Sequence, residues 1–188
     1  MKDMDTVVIL GTFDSKAEEL SFLKQRIERK GLQTLTLNVG TRIPPLIPVD
    51  LDLFATISQN GKAIHKDRDI AIKAIIKEAR VLIKKLYQEG KVSGIISAGG
   101  GSGTHICSAI MRELPLGVPK IMVSTVASRN MADIVSTKDI TMIHSVSDLL
   151  GVNSISGRIL DNAASGLCGM LQDRWQPPAE KKRILPIK

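Results

Sequence analysis

Four glycines fall within six residues at Gly99-Gly100-Gly101-Ser102-Gly103-Thr104. This stretch lies directly after the apolar run Gly94–Ala98 and directly before a helical pattern. Strand, glycine loop and helix in that order suit an anion. Glycine lets the backbone approach a bulky group and take positive φ. The helix behind it offers free N–H groups and the positive end of its dipole. Ser102 and Thr104 add hydroxyls, and a phosphate carried by a nucleotide is the natural ligand. A tight turn alone would not need so many glycines.

A second polar cluster, Gly11-Thr12-Phe13-Asp14-Ser15-Lys16, also follows an apolar run, Thr6–Leu10. Lys16 would neutralise a phosphate. Asp14 would hold a ribose hydroxyl or a magnesium-bound water. The bland alternative has Asp14 or Ser15 capping a helix and Lys16 in solvent. Ser124, Thr125 and Ser128 offer hydroxyls after a further run, Lys120–Val123. They suit phosphate or ribose, or else satisfy turn backbone. The glycine loop lacks the Lys-Ser/Thr of a Walker A loop. As a dinucleotide fingerprint it has Thr104 where the third glycine belongs. It is similar to the GGxGT loop of some kinases, but Ser102 stands where those carry an acid. No Ser-His-Asp order, paired carboxylate or metal-ligand spacing is legible, so no catalytic residue is assigned and no metal site is expected. His105, at the start of the glycine-loop helix, reads as structural.

The elements that must position these loops follow from periodicity. Strands are expected at Thr6–Leu10, Gln33–Val39, Gly94–Ala98, Lys120–Val123 and Ile140–Ile143. A helix follows Ser15, with Glu18 and Glu19 in its first turn, and Gly31 ends it. The three prolines of Thr41–Pro48 exclude regular structure. A short helix is expected over Leu51–Ser58, a turn at Asn60-Gly61, and a long helix from Asp67 to Tyr87. The last two helices run from Thr104 to Leu114 and from Ile155 to Leu171. The order predicts an α/β fold, a three-layer Rossmann-like sandwich with a mostly parallel sheet. Ligands on such sheets bind at the carboxyl ends of the strands. The loops beginning at Gly11, Gly40, Gly99 and Ser124 all sit there.

The chain has 188 residues, 43% hydrophobic and 24% charged, an ordinary balance for a globular domain with a real core. Aromatics are only 3%, which argues against base-stacking platforms for single-stranded nucleic acid. The formal net charge is +7. Basic residues gather on the long helix, where Lys73, Lys77, Arg80 and Lys84 form one stripe, and in the tail. A solvated face explains them better than RNA does. The rest of the long helix is apolar over more of its circumference than one sheet contact needs, so a homo-oligomer or a second domain or subunit is expected. Cys107 and Cys168 read as buried structural thiols. No signal peptide or membrane span is legible, and the expected compartment is the cytoplasm.

The segments GTFDSKAEELSFLKQRI, NVGTRIPP, SAGGGSGT, AIMRELPLGVPKIMVST, DITMIHSVSDLLGVN and ILDNAASGL resemble, in the same order, those of the Tm-1-like or UPF0261 proteins. The likeness runs from about Val7 to Met170. It implies an ATP-binding N-terminal α/β domain, with magnesium compatible with the ligand. The plant member is an antiviral protein that inhibits tobamovirus RNA replication by binding a viral replication protein. Carried over by position, the nucleotide site takes Gly11, Thr12, Asp14 and Lys16 from the first loop. The second loop supplies Gly40 and Thr41. The glycine loop adds Gly100, Gly101, Ser102, Gly103 and Thr104, and the fourth adds Ser124, Thr125 and Ser128. The family loop usually reads GGSGGT, and Arg129 stands where the family often has glycine. Family members are about twice as long. The expected division is therefore a nucleotide-binding domain over residues 1–174, then a Pro-rich basic linker or the start of a second domain over 175–188. The resemblance implies nucleotide binding more firmly than catalysis. Two alternatives accompany it: a regulatory module in which ATP orders an interaction surface, or half of a two-component phosphotransferase or hydrolase.

Overall fold

A computed structural model describes residues 5–59 and 68–173. The expected turn at Asn60-Gly61, the first residue of the long helix, Asp67, and the linker or second-domain start over 175–188 with its basic tail lie outside the described residues. The chain runs β1 (Thr6–Gly11), α1 (Ala17–Glu28), β2 (Gln33–Asn38), β3 (Leu51–Asp52), α2 (Leu53–Gln59), α3 (Arg68–Gln88) and β4 (Gly94–Gly99). It continues through α4 (Gly101–Met111), β5 (Lys120–Ser124), α5 (Ala132–Val135), β6 (Thr141–His144) and α6 (Ser154–Gln172). The six strands form one sheet in the order β3-β2-β1-β4-β5-β6. Every pairing in it is parallel.

A parallel sheet covered on both faces needs strands that are apolar throughout, and TVVIL is such a run. Val7 and Ile9 face one layer with Leu20, Leu23 and Ile27 of α1 and Leu160, Ala163 and Leu167 of α6. Val8 and Leu10 face the other, with Ile75, Ala79 and Ile83 of α3 and Ile106 and Ile110 of α4. Each fully buried Val, Leu or Ile among them contributes about 1.5–3 kcal/mol. On α3, Ile70 and Val81 remain exposed. Val81 lines a shallow groove of about 370 Å³ with the basic residues Lys73, Lys77, Arg80 and Lys84. This is the surface on which the expectation of a partner rests.

Several local expectations need correction. The α1 N-cap is Lys16, with no side-chain cap. Ser15 and Asp14 are occupied elsewhere, because the residues before α1 already form a turn closed by Ser15 N–H and Lys16 N–H on the Thr12 carbonyl (3.0 and 2.9 Å). Leu51 and Asp52 pair with Leu37 and Asn38 as a short strand, so the following helix begins at Leu53. The glycine-loop helix starts at Gly101 rather than Thr104 and ends at Met111. None of Gly99–Gly103 takes positive φ; among the described residues the glycines that do are Gly31, Gly90, Gly117 and Gly151. Helical backbone from Gly101 onward needs negative φ, which removes that conformational reason for glycine. The final helix starts at Ser154, where Asn153 caps it by accepting from Ile155 N–H and Ser156 N–H. The four-residue helix α5 was not anticipated.

Both cysteines are buried. Burial pushes the Cys107 thiol up to about 12, so it stays protonated and inert. Lys120 is buried at the start of β5. Its ammonium donates to the carbonyls of Pro115 and Val118 (both 2.8 Å) and to Asp139 (2.7 Å). All three donors are therefore used, as a buried cation requires. Glu113, at the end of α4, is held by Arg80 and Lys84 of α3. Burial alone would push the carboxyls of Glu113 and Asp139 up. Hydrogen bonds from Lys84 and Arg80 to Glu113, and from Lys120 and Gly117 N–H to Asp139, outweigh it, so both carboxyls lie below their usual range. Depressed folded-state values place this stability above the unfolded carboxylate range, and it is lost as pH falls through the folded values. The urea midpoint is therefore expected to hold between about pH 7 and 5 and to decline below about pH 4. Glu113→Gln should lower the midpoint at pH 7 and flatten that decline. An unchanged acid limb in the variant would count against this account.

Candidate functional site

The chain leaves β1 toward β2 on one side and reaches β4 on the other, so the strand order reverses between β1 and β4. At such a reversal the connections part and open a crevice beyond the carboxyl ends of the strands. A cleft of about 250 Å³ lies there. Its walls are Thr12, Asp14, Ser15 and Lys16 after β1, Thr41 and Arg42 after β2, Arg68 and Ile72 of α3, and Gly100–Gly103 with Ile106 at the head of α4. The N-termini of α1 and α4 both border it.

The glycines of this loop do different work. A Cβ on Gly99 would lie 3.3 Å from the Gly103 Cα, so Gly99 lets α4 press against β4. A Cβ on Gly100 or Gly103 would make only ordinary contacts, at 3.7 Å to Thr125 Oγ1 and 3.9 Å to Thr12 Oγ1. A Cβ on Gly101 would meet nothing within 4 Å. Glycine costs a helix interior about 1 kcal/mol relative to alanine and is a poor helix former in the first turn too, where Gly101 and Gly103 stand. Neither backbone angle nor packing within the fold demands them. Their effect is to leave the first turn of α4 bare where it faces the cleft.

Asp14 is nearly buried. It accepts from Arg42 N–H (3.1 Å) and from Ser15 Oγ (3.1 Å), and Ser15 Oγ also lies 3.2 Å from Thr12 Oγ1. Gly40 permits this, since a Cβ there would sit 2.7 Å from the Asp14 Cγ. Asn38, fully buried at the end of β2, ties the two loops together. Its Oδ1 accepts from Phe13 N–H (3.1 Å) and Gly40 N–H (2.9 Å), and its Nδ2 donates to Asp52 (2.8 Å). Arg68 donates to Ser102 Oγ across the mouth of the cleft (2.8 Å). The Lys16 ammonium borders the cleft but points to the Leu149 carbonyl and to Glu19 (3.8 Å).

Of the residues expected at the site, Thr12, Asp14, Lys16, Thr41, Gly100, Gly101, Ser102 and Gly103 line this one cleft. Gly11 and Gly40 lie behind it, Gly11 against Leu20. Thr104 and Ser124 are buried and share a hydrogen bond of 2.7 Å. Ser124 Oγ also receives Val126 N–H, so it shapes the fourth loop from within. Thr125 stands beside Gly100, while Ser128 is exposed and not among the lining residues. Ser15, Arg42, Arg68, Ile72 and Ile106 line the cleft without having been expected at the site. Arg42 directly follows Thr41 in an expected site loop, which was the available signal; Arg68 looks like any charge on a solvated helix. Among the described residues, no group of three or more His, Cys, Asp or Glu is placed to hold a metal ion. No described helix is long and apolar enough to cross a membrane.

Strand order, covered faces and a cleft at the reversal define a three-layer, doubly wound α/β domain. The chain belongs to the UPF0261 family: residues 5–176 match the domain described as "Uncharacterised protein family (UPF0261) N-terminal domain". It is 42% identical over 173 residues to a UPF0261 protein of Clostridium tetani, covering 89% of this chain and 43% of that one. A UPF0261 protein of Rhizobium meliloti is 37% identical, covering 96% and 46%. The ToMV susceptible protein tm-1(GCR26) of Solanum lycopersicum is 28% identical over 196 residues, 93% of this chain and 26% of that protein. The chain thus spans less than half the length of these relatives. Among solved structures, a Trichoderma reesei cutinase in complex with a phosphonate inhibitor aligns with a TM-score of 0.45 at 10% identity, covering 90% of this chain and 76% of that one. That likeness is too distant to bear on function.

Proposed function

We propose that this chain binds the polyphosphate of a nucleotide, ATP by its family resemblance, in the cleft between the ends of β1 and β4. One observation carries the reading. The first turn of α4 is stripped of side chains at Gly101 and Gly103, although the fold requires glycine at neither position for backbone angle or packing. A bare helix N-terminus lets an anion reach the unpaired N–H groups and the dipole together. Arg42 and Arg68 add two guanidiniums at the rim.

Ligand pockets usually enclose about 300–1,000 Å³. At about 250 Å³ this cleft suits the phosphates and leaves the nucleoside toward its mouth. Asp14 would repel a naked polyphosphate. It suits one that carries magnesium, because the cation screens the carboxylate from the phosphates.

The test is isothermal titration of the purified chain with ATP and magnesium beside adenosine alone. Saturable binding of ATP that weakens steeply with salt, with no heat from adenosine, is expected. No heat from ATP at millimolar concentration would overturn the reading.

A further inference from the structure

We propose that Lys16 is shared between the cleft and the loop joining β6 to α6, so that a polyphosphate in the cleft loosens that loop. The proposal rests on the anion-site reading and adds a regulation to it.

Lys16 lines the cleft, yet its ammonium is committed to the Leu149 carbonyl and to Glu19. Glu19 is only 2% exposed, and its carboxylate also receives Gly151 N–H (3.1 Å). The adjacent Glu18 receives Val152 N–H (2.8 Å). The first turn of α1, at the edge of the cleft, therefore clasps residues 149–152 through one cation and two carboxylates. These partners are more than 130 positions away in the chain, separated by 133, 132 and 134 residues.

The loop that holds the clasped residues carries local strain. Val146 has φ +65° and is 69% exposed. A β-branched residue in that region is a strained outlier that persists only when its surroundings enforce it. Leu150 is 83% exposed. Leu149 anchors one end of the segment in the core and Val152 packs against it at the other. Between them Leu150 stands in water, and the α1 clasp ties this short stretch to the edge of the cleft.

An arriving polyphosphate brings several negative charges to the other side of the same ammonium. A single carboxylate at 3.8 Å and a neutral carbonyl compete poorly with that field. As Lys16 turns to the phosphates, the Leu149 carbonyl loses its donor and Glu19 its counter-ion. By linkage the loop in turn restrains the site, because holding Lys16 costs anion affinity.

The experiment is backbone hydrogen exchange of the full chain, alone and with saturating inorganic pyrophosphate or magnesium ATP. Binding is read independently from protection of residues 100–104. Exchange at Gly151 and Val152 is expected to rise roughly five- to tenfold on binding, about one hydrogen bond's worth. Lys16→Met should give the fast loop without ligand. Glu19→Gln keeps the shape and removes the charge that holds Lys16, so it should tighten pyrophosphate binding roughly fivefold. Loss of a carboxylate beside the cleft also relieves repulsion through space, so the switch requires in addition that the gain vanish in a Lys16→Met background. Protection at 100–104 with an unchanged or slower loop overturns the switch and leaves the anion site standing. Absence of both protection and binding overturns the two together. A Glu19→Gln variant that folds but binds no more tightly also overturns the switch.

Discussion

Gly101→Asp is expected to weaken magnesium ATP binding by at least about a hundredfold while leaving the melting temperature unchanged or slightly raised. Both halves come from one field. Gly101 is the first residue of α4, and a Cβ there enters open space, so the substitution meets no steric penalty in the empty protein. A carboxylate in the first turn of a helix gains about 0.3–1 kcal/mol from the dipole. The same carboxylate occupies the bare surface and repels what the surface would hold. Two unit charges about 4 Å apart at a protein surface repel by about 4 kcal/mol, and each 1.4 kcal/mol is a factor of ten. Gly101→Asn separates charge from bulk and should lose only about tenfold. Calorimetric titration and thermal melting of the same samples check both halves. Undiminished ATP affinity in the Asp variant would place the ligand elsewhere. A melting temperature lower by more than about 5 °C would make Gly101 a structural glycine.

The strands were legible because buried parallel strands must be apolar on both faces. TVVIL and GIISA therefore stand out from sequences that need only one apolar stripe. Two elements were hidden for opposite reasons. The strand β3 is two residues long and merges into the helical pattern after it. The start of α4 is built from Gly101, Ser102 and Gly103, which are poor helix formers, so propensity placed the helix at Thr104. Tertiary context overrides propensity there, since Gly99 lets the backbone of Gly103 pack directly on β4. Within the site, loops that follow strands were findable from their residue types. What side chains do at long range was not. Lys16 was singled out, but its partner Leu149 lies far along the chain. The hydroxyls of Thr104 and Ser124, expected at the ligand, are buried against each other, a pairing across 20 residues that no local pattern marks. Asn38 reads as an ordinary polar strand end, and nothing local marks it as the tie between two loops.

That tie carries the largest expected effect on stability. Asn38→Ala removes one acceptor from two N–H groups, those of Phe13 and Gly40, and the donor to Asp52, at a fully buried position. Each buried group left unsatisfied costs about 1–3 kcal/mol. Two amides together cost about 3 kcal/mol, a large part of a stability of 5–15 kcal/mol. The melting temperature should fall by roughly 6–12 °C. ATP affinity should fall with it, because Phe13 precedes Asp14 and Gly40 packs against it. Asn38→Asp distinguishes the hydrogen bonds from simple packing. It keeps both acceptor roles but sets a carboxylate where Nδ2 now lies 2.8 Å from the Asp52 oxygen. Two carboxylates at that distance cannot both stay ionised, so the folded pair titrates above the usual carboxylate range. Raised folded-state values mean that the variant is destabilised at pH 7 and recovers as pH falls toward 5, where the pair shares a proton. The wild-type chain should be nearly flat over that interval and lose stability only at lower pH. Thermal melting of both chains at pH 7 and 5 reads the difference. An Asp variant as stable as the wild type at pH 7 would show that Asn38 does not join the β1 and β2 loops through this network. An Asp variant that gains stability on mild acidification would show that the amide at position 38 holds the two loops in register.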